Sequence, residues 1–258
     1  MKLPVSPKRD LGQHFLVDEN ILGVIGRLAE LGPDDVVLEV GPGLGVLTVY
    51  LAERVARVDA VELDHALACV LVERFEARDN VTVHFGDALR LDLAAFEPTK
   101  FVSNLPYNVA TPLIVESLDG LPTVEHWTVM VQREVADRLF AEPRTKAYGA
   151  VSVLVQLATE RTGFHPVSRT VFRPQPNVDS ALVAFRRTEL LDDYADVKRL
   201  VEAAFAHRRK TLPNSLELSG VASRANAVDA LAAIGREPDV RAEALRPPEF
   251  VELERALR

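Results

Sequence analysis

Apolar positions along the first two thirds of the chain follow two alternating patterns. Ile21, Leu22, Ile25, Leu28 and Ala29 recur at helical spacing behind Asp18, a residue suited to cap a helix, so the spacing predicts a helix over 18–31 that ends at Gly32-Pro33. Val36–Val40 is a short apolar run of the kind found in strands buried on both faces. It leads through glycines into a helical pattern over Val46–Val55. The alternation repeats: a strand at Val58–Val61, a helix over about 65–77, then strands at Val81–Phe85 and Phe101–Ser103. Further on, Thr111–Leu118 reads as helix, Trp127–Val131 as strand and Glu134–Phe140 as helix. Ala150–Leu157 is apolar without a decisive period, and residues 181–186 read as a last strand. Strand and helix in alternation are the pattern of a doubly wound parallel sheet, an α/β fold.

After Thr188 the texture changes. Val197–Phe205, Ala225–Ile234 and Glu249–Leu257 have helical spacing, with no convincing strand between them. The chain is therefore expected to divide into an α/β domain over 1–187 and a small all-helical domain over 188–258. With 258 residues, 48% of them hydrophobic and 26% charged, it has material for a sizeable core. No apolar run reaches the roughly 18–20 residues of a membrane helix. The N-terminal stretch MKLPVSPKRDLGQHF lacks the apolar core of a secretory signal. One cysteine, Cys69, makes neither an internal disulfide nor a cysteine metal site, and the six histidines show no ligand spacing, so no metal is expected. These features point to a cytosolic protein.

The net charge of −8 argues at first against an anionic partner. Its distribution changes that reading. Residues 1–125 carry 10 basic and 20 acidic side chains, whereas 126–187 carry 9 basic and 5 acidic, and 198–224 carry 6 basic and 2 acidic. The acidity is an N-terminal property, and two later segments can present a basic face to nucleic acid.

Candidate chemistry begins at Glu39-Val40-Gly41-Pro42-Gly43-Leu44-Gly45, between the first buried strand and its helix. Glycines there admit backbone angles closed to other residues and let a ligand approach the main chain. The next strand ends in Glu62, whose carboxylate is placed to accept from ribose hydroxyls. The dinucleotide fingerprint requires a glycine or alanine three residues after the second glycine, and Val46 stands there. The E-x-G-x-G-x-G form instead resembles the S-adenosylmethionine site of class I methyltransferases. In that family an acid at the position of Asp87, followed here by Ala88, binds the adenine amino group of the cofactor. Asp87 also reads as a helix cap. Asn104-Leu105-Pro106-Tyr107, after the fourth strand, resembles the amino-methyltransferase motif that holds an exocyclic amine. The Asn104 oxygen and a backbone carbonyl near Leu105 can both accept from an NH₂ group, Pro106 stiffens the turn, and Tyr107 offers a face to a flipped-out base.

A longer series of motifs narrows the resemblance. Gly12-Gln13-His14-Phe15-Leu16, the glycine turn, Val61-Glu62-Leu63-Asp64, Asn104-Leu105-Pro106-Tyr107-Asn108, Phe172-Arg173-Pro174-Gln175-Pro176-Asn177-Val178-Asp179-Ser180 and Arg208-Arg209-Lys210-Thr211-Leu212 occur in that order. Together they resemble the ribosomal RNA adenine dimethyltransferase family, and specifically its housekeeping bacterial branch acting on small-subunit RNA. His14 departs from the Asn of many relatives.

The resemblance implies a Rossmann-like class I S-adenosylmethionine-dependent methyltransferase domain with a C-terminal helical domain that binds RNA or the ribosome. It places Gln13, His14 and Leu16 in a segment closing over S-adenosylmethionine, with Gly41, Gly43, Glu62, Leu63, Asp87, Ala88 and Asn104 around it. Asn104, Leu105, Pro106 and Tyr107 would meet the target adenine, with Phe172 as a second stacking face. Arg208, Arg209 and Lys210 would contact RNA phosphates. The expected substrate is two adjacent adenines in the 3′-terminal hairpin of small-subunit rRNA within a pre-30S particle, modified by a monomer. The rivals are the macrolide-resistance branch acting on large-subunit rRNA, a DNA adenine methyltransferase, a ribosome-assembly factor with little catalysis, and a nicotinamide-dependent oxidoreductase. The intact glycines, Glu62 and the Asn-Leu-Pro-Tyr turn weigh against a silent assembly factor, and the glycine spacing weighs against an oxidoreductase.

Overall fold

A computed structural model of the chain describes Val5, Pro7, Lys8 and residues 12–258. The remaining N-terminal residues, part of the stretch read as lacking a secretory signal, lie outside that description. By compactness the chain divides into two units, residues 1–136 with 161–187, and residues 137–160 with 188–258. The second unit thus takes in an internal segment that a single cut at 187/188 leaves in the first.

The first unit is built on a seven-stranded sheet. Its strands are β2 (Val36–Val40), β3 (Arg57–Glu62), β4 (Val81–Phe85), β5 (Lys100–Asn104), β6 (His126–Gln132), β7 (Thr159–Val167) and β9 (Ser180–Arg187), in the order β4-β3-β2-β5-β6-β9-β7. The first five are parallel and β9 runs antiparallel to β6. A separate two-stranded ribbon pairs β1 (Phe15–Leu16) with β8 (Phe172–Arg173). The helices α1 (Glu19–Ala29), α2 (Val46–Ala52), α3 (Ala68–Phe75), α4 (Ala110–Gly120) and α5 (Arg133–Leu139) follow their strands much as the apolar spacing predicts. Asp18 caps α1 by accepting from the Asn20 amide. The apolar strands β2, β3 and β5 are buried because helices cover both faces of a parallel sheet.

The strand order reverses direction at β2, whose neighbours are β3 and β5. In open α/β sheets such a reversal leaves a crevice beyond the carboxyl ends of the strands. Here the splay is visible in the hydrogen bonding. β2 and β5 pair only at Val37–Lys100 and Leu38–Phe101, and the Val40 amide is then taken up by the Ser103 hydroxyl, at 2.7 Å. The Gly41 amide turns the other way, to the Val61 carbonyl at 2.8 Å. Ser103 fills the gap left by a broken ladder, and the glycine turn opens over it.

The second unit is helical, with α6 (Ala150–Ala158), α7 (Tyr194–Ala206), α8 (Leu212–Leu218), α9 (Arg224–Ala233) and α10 (Pro247–Leu257). Buried Tyr148 donates to the Leu245 carbonyl at 2.8 Å, Tyr194 to the Leu154 carbonyl at 3.2 Å, and Ser215 to the Ala203 carbonyl at 2.7 Å, so each satisfies its polar atom inside the core. Ala150–Leu157, of undecided period, is helix, and it lies in this unit. Among the described residues no helix is long and apolar enough to cross a membrane.

Candidate functional site

The crevice at the strand reversal is lined by the glycine turn, the ends of β3 and β5, and the segment preceding β1. Of the residues singled out from the sequence, Gln13, His14, Leu16, Gly41, Gly43, Glu62, Leu63, Asp87, Ala88, Asn104, Leu105, Pro106 and Tyr107 all line it.

Gly41 and Gly43 have φ of +77° and +58°, left-handed values that disfavour any side chain. A methyl group on Gly41 would sit 3.0 Å from Pro106 Cγ, and one on Gly43 would sit 2.9 Å from the Phe15 ring. The turn therefore needs glycine both for its backbone angles and for the close approach of the motifs beside it. Glu62 is held rigidly: one oxygen accepts from the Gly43 amide at 3.1 Å and the other from the Asp64 amide at 2.8 Å. Burial raises its pKa and those backbone donors pull it back, leaving it above the ordinary carboxylate value. Asp87 caps its own turn, accepting from the Leu89 amide at 3.0 Å, and pairs with Arg90 at 3.4 Å, while still facing the crevice.

The Asn104–Tyr107 turn is pinned from several sides. The Leu105 amide donates to the Met130 carbonyl at 3.0 Å. The Asn104 side-chain nitrogen donates to the His14 carbonyl at 3.4 Å, which leaves the side-chain oxygen as the acceptor. Tyr107 shares a 2.7 Å hydrogen bond with Ser180, and burial pushes its phenol pKa up, so it is neutral at ordinary pH. Its ring lies 5.4 Å from that of His14. His14 Nδ1 stands 2.7 Å from the Pro174 carbonyl, and since a carbonyl only accepts, Nδ1 carries the proton.

Phe172 corrects the sequence reading. It is 1% exposed and belongs to the apolar core with Leu16, Val102, Met130 and Leu182, and it does not line the crevice. Its backbone pairs with Leu16, so its role in this structure is to anchor β1. A stacking face must be reachable, and this ring is spent on the core. Arg208, Arg209 and Lys210 are not among the residues lining the crevice; they are exposed in the turn after α7, in the helical unit.

Two features escaped the sequence reading. Leu89 lines the crevice while remaining 43% exposed, and with the nominated Leu63, 51% exposed, it makes the apolar walls of an open slot. Glu39 also lines it, is fully buried, and has a side-chain oxygen with no hydrogen-bond partner. Burial, reinforced by the nearby Glu62 carboxylate, pushes its pKa up to about 8. Its place at the start of the glycine motif was a signal that could have found it. Among the described residues no group of three or more His, Cys, Asp or Glu gathers as metal ligands would.

Comparisons with known proteins bear on this geometry. The family model "Ribosomal RNA adenine dimethylase" matches residues 5–252. The chain belongs to that family. It is 47% identical to the ribosomal RNA small subunit methyltransferase A of Rubrobacter xylanophilus, over 97% of this chain and 95% of that one. It is 44% identical to the protein of the same name from Lactiplantibacillus plantarum, over 97% and 90%. Among solved structures, a dimethyladenosine transferase from Plasmodium falciparum superposes with a TM-score of 0.80 at 25% identity, covering 93% of this chain and 96% of that one. The 23S rRNA methyltransferase ErmE superposes with a TM-score of 0.66 at 30% identity, covering 94% and 99%. The expected class I methyltransferase fold with added C-terminal helices is thus the fold of this family, and the chain is an rRNA adenine dimethyltransferase.

The crevice fits the family's cofactor on its own evidence. S-adenosylmethionine brings ribose hydroxyls, an adenine ring and positive charge. Glu62 retains acceptor capacity for hydroxyls after taking two amide donors. Leu63 and Leu89 are apolar faces for a ring, and the buried Glu39 carboxyl, with one oxygen lacking a hydrogen-bond partner, is a group that a neighbouring positive charge would favour in its ionised form.

Proposed function

We propose that this protein uses S-adenosylmethionine to dimethylate the exocyclic amines of two adjacent adenines in the 3′-terminal hairpin of small-subunit rRNA, acting as a cytoplasmic monomer on a pre-30S particle. The observation that carries the reading is the convergence of the glycine turn, Glu62 and the Asn104–Tyr107 turn on one crevice, in a chain of the rRNA adenine dimethylase family. The names of its relatives favour the small subunit over the large.

When bound, the cofactor supplies an electrophilic methyl group on a sulfonium. Everything else falls to the chain. Glu62 would hold the ribose, Asp87 and Ala88 the adenine end, and the Gly41–Gly43 backbone the rest. The adenine amine is a poor nucleophile because its lone pair is delocalised into the ring. Acceptance of its two N–H groups by the Asn104 side-chain oxygen and the Leu105 carbonyl favours a pyramidal nitrogen with a localised lone pair. Asn104 is suited to this because its nitrogen is already committed to His14. Tyr107, held by Ser180, presents its face to the extruded base. Holding the amine in line can supply several kcal/mol of the acceleration. RNA phosphates would meet Arg208, Arg209 and Lys210 and the basic residues of 126–187.

The test is to mix the protein with labelled S-adenosylmethionine and hypomethylated 30S subunits, free small-subunit rRNA or 50S subunits, and to map the labelled nucleotide. Two labelled neighbouring adenines near the 3′ end of the small-subunit RNA are expected. Label confined to 50S subunits would move the protein to the macrolide-resistance branch. Glu62→Ala is expected to weaken S-adenosylmethionine binding by about 1.5–3 kcal/mol, the scale of charge-assisted hydrogen bonds. Tight NAD binding with none of S-adenosylmethionine would overturn the cofactor assignment.

A further inference from the structure

Lys8, Gln13 and Asp64 form a closed polar knot that the reaction described above does not use. Asp64 stands two residues beyond Glu62 and is 4% exposed. One carboxylate oxygen accepts from Lys8 Nζ at 2.6 Å and from the Ala66 amide at 3.0 Å, and the other accepts from Gln13 Nε2 at 2.9 Å. The other end of the Gln13 amide accepts from the Lys8 backbone N–H at 2.8 Å, and the Gln13 N–H returns a bond to the Lys8 carbonyl at 3.3 Å. Both polar ends of the Gln13 side chain are therefore engaged inside the protein.

Asp64 faces two ways. Its own amide donates to Glu62 at 2.8 Å, while its carboxylate holds Lys8 and Gln13. One residue beyond Gln13, the His14 carbonyl accepts from Asn104 and the His14 ring lies beside Tyr107. Gln13 and His14 thus link the acid beside Glu62 to the target-base turn, and Asp64 anchors them at the Glu62 end.

We propose that Asp64, with Lys8 and Gln13, is a positioning cluster that clasps the Gln13–His14 stretch at the crevice and so fixes Glu62 for the cofactor and Asn104 for the adenine. The proposal rests on the methyl-transfer reading and deepens it, assigning Gln13 to the clasp and giving Lys8 and Asp64 a task. The chemistry suits a clasp. Burial works against ionisation of Asp64, but the donors from Lys8, Gln13 and Ala66 together hold its carboxyl below the usual range, so it stays an anion. Lys8 is half exposed, so losing its charge costs the fold little. The consequence of losing it is read in the crevice.

The experiment is a double-mutant cycle in the full chain, with Lys8→Met, Asp64→Asn and the pair, alongside Lys8→Arg and Gln13→Ala. S-adenosylmethionine affinity is measured by calorimetry, kcat and KM on hypomethylated 30S subunits, and folding by thermal melts. Lys8→Met and Gln13→Ala are each expected to weaken cofactor binding about fivefold to tenfold, with Tm within ~2 °C of the parent. They should lower kcat as well, because Asn104 loses its support. Lys8→Arg should restore both, and the double variant should be no worse than Asp64→Asn alone, the sign of a shared contact. If Lys8→Met and Gln13→Ala bind and turn over like the parent, or if the two losses simply add, there is no clasp. A lower Tm for Asp64→Asn with unchanged cofactor affinity overturns it equally. Should Asp64→Asn fail to fold, Lys8→Met against Lys8→Arg decides. A parent protein that binds the cofactor but methylates no subunit defeats the functional reading instead, while the binding cycle still settles the clasp.

Discussion

Glu39 is the residue whose environment disagrees most with its chemistry. A carboxyl group with a pKa near 8, buried and with one oxygen unpartnered, is largely protonated at neutral pH. Because its folded pKa lies above the unfolded value of 4.5, the folded state binds more protons across the window from about 4.5 to 8. Stability must therefore fall as pH rises through that window. Glu39→Gln removes this dependence. It is expected to gain stability relative to the parent on the order of a few kcal/mol at pH 9 and almost none at pH 4, as read by denaturant melts. A cationic ligand beside Glu39 reverses the balance by favouring the anion. S-adenosylmethionine binding should then release protons and tighten between pH 6.5 and 8.5 more steeply in the parent than in Glu39→Gln, as calorimetry in buffers of different ionisation enthalpy would show. Identical pH profiles would mean that Glu39 does not meet the cofactor's charge. For Asn104 the expectation is simpler. Asn104→Ala should lower kcat about 10²-fold or more, the scale of a misplaced reacting group, with the fold and cofactor affinity retained. Unchanged turnover on 30S subunits would remove Asn104 from the reaction.

At the scale of elements, the site exists because β2 and β5 part company after two paired positions. The glycine turn rises into that gap, and the β1–β8 ribbon lies beside it, with Phe15 against Gly43. Gly43→Ala is expected to be harmful twice over. It imposes a side chain on left-handed backbone, costing about 1–2 kcal/mol, and it drives a methyl into Phe15 and so disturbs the segment bearing Gln13 and His14. Gly220→Ala separates these effects, because Gly220 has φ of +69° with nothing within 4 Å of an added methyl. Both variants should lose comparable backbone stability, but only Gly43→Ala should lose S-adenosylmethionine affinity. Equal affinity for the cofactor in both would show that the close approach of Phe15 is incidental.

For the whole molecule, the question is how a chain of net charge −8 meets an RNA. Exposed Arg208, Arg209 and Lys210 lie in the turn between α7 and α8, within a stretch whose cations outnumber its acids 6 to 2. Replacing all three by alanine is expected to weaken 30S affinity without altering S-adenosylmethionine affinity. If each meets a phosphate, the slope of log affinity against log salt should fall by roughly two units. Filter binding across a salt series measures both, and a triple variant with the parent's affinity and slope would remove this turn from the interface.

Much of this protein was legible in its sequence. Strands buried on both faces announce themselves as apolar runs, and β2 begins and ends where its run does. The glycine turn, Glu62 and the Asn104–Tyr107 turn were legible because left-handed backbone and polar atoms at strand ends restrict the residues that can stand there. The elements that escaped are those without a local signature. β7 carries Glu160, Arg161, Gly163 and Pro166 because it is an edge strand, free to be polar and to lack a donor. The strands β1 and β8 have two residues each and exist only through each other. The same division holds in the site. Motifs could nominate Phe172, but whether a ring faces a pocket or the core depends on what packs around it, and Leu16, Val102, Met130 and Leu182 come from across the chain. Asp64 acquires its partners from 51 and 56 residues away, and Glu39 its raised pKa from burial. Local backbone demands are written in neighbouring residues. Burial and charge balance are sums over the whole fold, and only the tertiary structure carries them out.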